Sequence, residues 1–246
     1  MRPQSFIPWR HCSQHFSWSE RASGRGQPVD GQRFLNALVV GVDIAGLLGA
    51  ATKPGLQFFR PATAGGFGAA TALASVAGFD GDRVKDALGI HYGQVFGTMQ
   101  AHVEGSQALG LQIGFNARAA VNAIDLADAG LAGPHDFLTG PFGYFALFEN
   151  GSFEPTVIER ELGRVPQIAR LSHKPYPSGR LSHGGVDGAR RLMSMHGFAA
   201  NAIAEITIHV PPLVMQLMGR LTSQTCRRIT PSSACRLSAR TLPADG

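Results

Sequence analysis

Apolar residues recur along the first two thirds of the chain at spacings of three and four, the period of helices that bury one face. Asp30 stands where a side chain can cap a helix running through "FLNALVVGVDIAGLLGAA", residues 34–51, and the Pro54-Gly55 pair stops it. "RPATAGGFGAATALASVAG", residues 60–78, predicts a second helix with so little side-chain bulk that neighbouring helices can approach closely. Asp80 or Asp82 begins a third, with Val84, Leu88, His91 or Tyr92 and Val95 along one side; His91 is expected as a satisfied residue at the core edge. A fourth is predicted from about Phe115 to Ala129, where Ala117, Ala120, Val121, Ile124 and Ala127 keep helical spacing and Gly130 to Pro134 ends it. Helices that follow one another without strands predict an all-α body over about 30–165.

The pattern changes after residue 170. "HKPYPSGRLSH", residues 173–183, holds two prolines and a glycine and cannot be a regular helix, so it reads as a shaped loop. Residues 185–200 predict a helix, and "IAEITIHVPP" from Ile203 alternates as a strand does before two prolines end it. The fold class expected is therefore mainly α: a large all-helical domain followed by the beginning of a smaller α/β lid domain. The boundaries are an irregular N-terminal segment 1–29, a helical domain 30–169, a partial lid 170–218 and an Arg/Ser-rich disordered tail 219–246.

Charge changes the picture only by its location. The formal net charge is +5, but residues 219–246 carry +4 and residues 1–30 carry +2, which leaves the centre at −1. Positive charge confined to irregular ends is not the basic face of a nucleic-acid binder, so no nucleic-acid partner is expected. Cys12, Cys226 and Cys235 also lie in those ends, with neither metal-ligand spacing nor an even count, and a reducing cytoplasm is the expected setting. The stretch 34–51 is nearly long enough to span a bilayer, but Asp43 near its middle would cost about 2.5–3.5 kcal/mol there. Gln32, Asn36 and Asp43 form one polar stripe instead, so a core helix is expected and no membrane partner.

Candidate chemistry gathers on the loop. Lys174, Arg180 and His183 combine two cations with an imidazole, which suits a carboxylate substrate: Arg offers a planar fork, and His a proton near neutrality. The front of the glycine run, Arg60 through Gly66, could turn backbone N–H groups toward an anion, but it matches no phosphate-binding motif and the glycines are expected to serve helix packing. The loop falls at a domain boundary, where ligand sites concentrate.

Three segments occur in a familiar order: "GFGAATALASVAGFDGDRVKDALGI", then "EGSQALGLQIGFNARAAVNAIDLADAGLAGPHDFLTGPFGYF", then "KPYPSGRLSHGGVDGARRL". Over about residues 31–215 the chain resembles the MmgE/PrpD family, metal-independent 2-methylcitrate dehydratases and cis-aconitate decarboxylases. The Lys-Pro-Tyr-Pro-Ser run with Arg180, His183 and the Val186-Asp187 pair is the most specific part. The resemblance implies a helical domain joined to an α/β lid, a homodimer formed through the helical domains, and lyase chemistry on a small-molecule polycarboxylate without cofactor or metal. It implies that Lys174 and His183 are catalytic and that Arg60, Arg180, Tyr176 and Ser178 bind substrate. Arg60 stands where many relatives carry a substrate-facing histidine.

Departures from the family pattern set a second expectation. Leu109 lies near the place where many relatives carry a lysine ahead of the glycine matching Gly114. The aspartate-rich, histidine-bearing segment that relatives carry upstream of residue 31 is expected to be absent here, since His11 and His15 stand in an unrelated setting, "RHCSQHFSW". Both ends then read as truncated or out-of-frame. The alternative to a lyase is accordingly a non-catalytic fragment that at most binds ligand or dimerises.

Overall fold

The computed structural model of the protein describes residues 29–53, 57–211, 214, 215 and 217, and the backbone of 236–241. The chain divides into two compact units, one ending at Leu171 and the other beginning at Ser172. The fold is mainly α, as the hydrophobic period predicts.

In the first unit, α1 (Gly31–Ala51), α2 (Arg60–Ala77) and α3 (Gly81–Tyr92) are followed by α4 (Gln100–Glu104) and α5 (Ala108–Asp128). The aspartates expected to start helices do so: Asp30 accepts from the Arg33 backbone N–H at 2.7 Å and Asp80 from that of Arg83 at 2.9 Å. Each satisfies an N–H that the first turn leaves without a partner. Helix α5 begins at Ala108, seven residues before the predicted start. The added stretch contains Gly110 and Gly114, but isolated glycines cost only about 1 kcal/mol each, and packing outweighs that. Two short helices, α6 (Tyr144–Phe148) and α7 (Pro155–Glu161), and a 3-10 turn at Gln167–Arg170 complete the unit.

Helix α2 is the centre of this body and packs against α1, α3 and α5. Its small residues are why. A Cβ placed on Gly41 of α1 would lie 2.7 Å from the Gly68 carbonyl oxygen of α2, and one on Gly68 would collide with the Gly41 carbonyl. The two helices therefore touch backbone to backbone. Ala37, Ala70, Leu73, Ala120 and Ile124 fill the core toward one end, and Phe67, Phe137, Tyr144 and Phe145 toward the other. Phe67 is 1% exposed and stacks near Phe137, with ring centroids 5.7 Å apart. Truncating such a side chain costs about 3–5 kcal/mol.

Helix α1 is long and apolar enough to cross a membrane by length and composition. Here it buries Ala37, Gly41, Leu47, Leu48 and Ala51, and its Asp43 carboxylate accepts from the Gln167 backbone N–H at 2.7 Å. The acidic residue inside the apolar run thus anchors the 3-10 turn 124 residues away in the chain.

The second unit holds a 3-10 turn at Arg180–Ser182, α8 (His183–His196), a further turn at Ala200–Ala202 and two strands. Strand β1 (Glu205–Val210) pairs in parallel with β2 (Arg236–Thr241), Glu205 opposite Arg236 and Val210 opposite Thr241. The tail expected to be disordered therefore contributes a strand at 236–241. Leu237, Ala239 and Thr241 alternate there with Arg236, Ser238 and Arg240, a period of two that the arginine content obscures. The rest of 219–246, and the irregular segment 1–28, lie outside the described residues.

Candidate functional site

Arg60 opens α2 in the first unit, and its surroundings differ from those expected of a substrate-binding cation. Arg60 Nε lies 3.0 Å from Glu149 Oε1 and Nη2 lies 2.8 Å from Oε2, so the fork meets a carboxylate of the protein itself. Glu149 is held where α6 ends, just before Asn150 turns the chain at φ 55. Tyr144 donates to Glu149 Oε1 at 3.2 Å, and its hydroxyl lies 3.1 Å from Thr63 Oγ1. Burial pushes the Tyr144 hydroxyl well above the usual tyrosine range, with the Glu149 carboxylate adding to the shift. The Glu149 side chain is 5% exposed and that of Arg60 21%. This closed network ties α2 to α6, and the guanidinium expected to hold a substrate carboxylate holds Glu149.

His91, expected at the core edge, is fully buried. Gly66 of α2 makes room for it: a Cβ there would lie 2.6 Å from His91 Nε2. The ring meets Phe67 edge-on at 5.3 Å, and neither nitrogen makes a hydrogen bond of normal geometry among the described residues. Burial lowers its pKa to about 4, against a small opposing effect of the Ala119 backbone. The imidazole is neutral and structural at neutral pH. Nearby, Asn116 of α5 is buried and donates to the Phe96 carbonyl at 2.7 Å and the Gln112 carbonyl at 2.8 Å, so it is fully engaged in fixing the chain before α4.

The other five candidates, Lys174, Tyr176, Ser178, Arg180 and His183, fall in the second unit. Pro175 and Pro177 keep 173–178 out of helix, and Arg180 Nη1 donates to the His173 carbonyl at 2.9 Å, which folds the segment back on itself. Ser178 Oγ lies 2.9 Å from Ser182 Oγ, and Ser182 donates to the Gly179 carbonyl at 2.8 Å. Ser178 thus shapes the turn into α8. Lys174 is exposed and has no hydrogen bond or ion pair among the described residues. His183, the first residue of α8, is only 5% exposed, yet neither ring nitrogen has a partner among the described residues.

Tyr176 covers that imidazole. The two rings meet edge to face with centroids 5.3 Å apart. The hydroxyl expected to bind substrate donates to the Asp187 carboxylate, which holds it above the usual tyrosine range. Arg190 lies over the same ring, 5.8 Å from its centroid. Asp187 was noted in the Val186-Asp187 pair but given no role, and Arg190 was not singled out. The available signal was spacing: from His183, positions 187 and 190 return to one side of a helix. Glu149, Tyr144 and Thr63 carried no local signal, since their association with Arg60 spans up to 89 residues of chain.

A cleft of about 650 Å³ lies between α8 and β1, lined by Gly185, Leu192, Phe198, Ile206 and Ile208 among others. It is largely apolar, and none of the five candidates lines it. Among the described residues, no group of three or more His, Cys, Asp or Glu side chains is placed to hold a metal ion.

No curated protein matches the chain. The MmgE/PrpD N-terminal domain matches residues 11–156, more than half of the sequence. The match starts upstream of residue 31, where the resemblance was first recognisable, and ends before the Lys174–His183 segment. It spans the whole of α1 through α6, including the helix contact at Gly41 and Gly68 and the Arg60–Glu149 network. On that span the chain belongs to the MmgE/PrpD family.

Proposed function

We propose that the protein is a lyase of the 2-methylcitrate dehydratase type, which eliminates water from a hydroxy-polycarboxylate. Such a reaction needs cations to hold the carboxylates, a group that removes the proton beside a carboxylate and a group that protonates the departing hydroxyl. Lys174 supplies a compact positive charge on an exposed loop, and Arg180 supplies a planar fork of which one N–H is used internally. His183 supplies the proton-transfer group. The observation that carries the reading is the state of His183: a buried imidazole with both nitrogens unengaged, in the same short segment as two cations. His91 is buried with equally unengaged nitrogens inside the helical unit, so what sets His183 apart is the pair of cations in its own segment.

The test is turnover of a panel of hydroxy-tricarboxylates by the purified chain, with Lys174→Ala as control. Formation of the unsaturated acid that Lys174→Ala abolishes supports the reading, and no turnover across the panel counts against it. A second reading, ligand binding without turnover, is favoured by the Arg60–Glu149 pair, which fills one expected substrate contact from within the protein. Calorimetric binding of a tricarboxylate without product would distinguish it.

A further inference from the structure

We infer that Asp187, acting through Tyr176, is a positioning residue for His183: the carboxylate fixes the tyrosine ring as the wall that keeps the imidazole buried. The inference rests on the reading of His183 as the working group of this segment, and it concerns how that group is held.

The loop bearing Tyr176 has little else to fix it. Its prolines set local backbone angles, and among the described residues its internal bonds are Arg180 to the His173 carbonyl, the Ser178 N–H to the Tyr176 carbonyl and the serine contacts around Gly179. None of these reaches beyond the first residues of α8. Tyr176 is the side chain that does. Its hydroxyl donates to Asp187, one turn into the helix, and its ring face carries Arg190 a further turn along. Held at the hydroxyl and on one face, the ring presents its remaining surface to His183.

The consequence for the imidazole is chemical as well as spatial. His183 has no hydrogen-bond partner among the described residues to set its orientation, so packing against Tyr176 must do so. An imidazole held by packing alone has neither nitrogen committed, whereas one held by a carboxylate has one nitrogen committed. Asp187 therefore acts one residue removed: it bonds the tyrosine and leaves the histidine free. Loss of this brace would let the ring swing away and admit water to His183.

Carbethoxylation by diethyl pyrocarbonate, followed at each histidine by peptide mass spectrometry, tests this without any substrate. A failure to turn over hydroxy acids leaves its result standing. In the unaltered protein, His183 should react at least roughly tenfold more slowly than His196, which is exposed on the same helix. Tyr176→Phe and Asp187→Ala should each raise the His183 rate severalfold, and the double variant no further, because both remove one bond. Asp187→Asn should stay near the original rate, since its carboxamide oxygen still accepts from the tyrosine. Melting of the unit would expose His183 in any variant, so recovery in Asp187→Asn is the decisive reading. The inference is overturned if His183 reacts as fast as His196 at the outset. It is also overturned if Asp187→Ala leaves the rate unchanged, if Asp187→Asn raises it as much as Asp187→Ala does, or if the two single effects add.

Discussion

The Arg60 network and the Lys174–His183 segment use similar residues to opposite ends. In the helical unit an arginine, a glutamate, a tyrosine and a threonine satisfy one another in a chain. In the second unit a lysine stands exposed and a buried histidine has neither nitrogen engaged among the described residues. A closed network stabilises a fold because no buried polar group is left without a partner. An open one is costly unless something else completes it, and ligand sites are where such costs are found. On the proposed reading the cations beside His183 put the chemistry in the second unit, while the Glu149 carboxylate ties Arg60 into the packing of the first.

The largest effect should fall on activity. Exchange of His183 for Gln, or of Lys174 for Ala, should lower kcat/KM for a hydroxy-polycarboxylate about 10²–10⁴-fold, the range for loss of a general acid–base or an electrostatic contact. The urea midpoint of Lys174→Ala should hardly move, since that side chain is exposed and unpaired among the described residues. The comparison breaks if Arg60→Ala gives an equally deep loss of activity with unchanged stability, because Arg60 would then face substrate.

Next comes the closed network. Removal of Glu149 in Glu149→Ala takes the carboxylate from a mostly buried guanidinium and leaves the Tyr144 hydroxyl only its Thr63 contact, and should cost about 3–5 kcal/mol in urea unfolding. The double change Arg60→Met with Glu149→Gln should recover much of that, because removing both charges leaves neither stranded. A small loss for the single variant would mean that solvent already screens the pair.

His91 makes a further contrast, as an imidazole fully buried inside the helical unit with no side-chain hydrogen bond among the described residues. Its pKa falls from 6.5 to about 4 on folding, so the unfolded chain binds a proton that the folded chain does not. Its contribution to stability is therefore complete above pH 6.5 and declines as the pH falls toward 4, by about 3 kcal/mol in all. His91→Met should flatten that part of the profile of unfolding free energy against pH. An unchanged slope would place the acid sensitivity on the carboxylates.

What could be read from the sequence divides along the same line. The helices of the first unit were legible because each has a local cause: Asp30 and Asp80 at the starts, apolar period within, and glycines where two backbones meet. The start of α5 was misplaced because Gly110 and Gly114 resemble breakers, and only packing against α2 and α3 reveals that they are not. The strand at Arg236–Thr241 was hidden by arginine content, and its pairing with Glu205–Val210 is not local. At the site, the segment 173–183 was legible as a loop with cations. The partner of Arg60 was not, for Glu149 lies 89 residues away with nothing nearby to mark it. Nor was the occupation of the Tyr176 hydroxyl, which depends on how the loop folds over α8.

The smallest prediction sharpens the comparison at the level of single helix starts. Helices α1 and α3 begin under aspartates whose side chains accept from the first turn, whereas α8 begins at Ser182, whose hydroxyl donates to the Gly179 carbonyl instead. Asp80→Ala should therefore cost about 1 kcal/mol, the usual value of a lost cap. Ser182→Ala should remove a turn contact and not a cap, so helicity of α8 followed by amide exchange at its first residues should change little. If Ser182→Ala frays α8 as much as Asp80→Ala frays α3, the serine is capping in solution and the second unit is as self-satisfied there as the first.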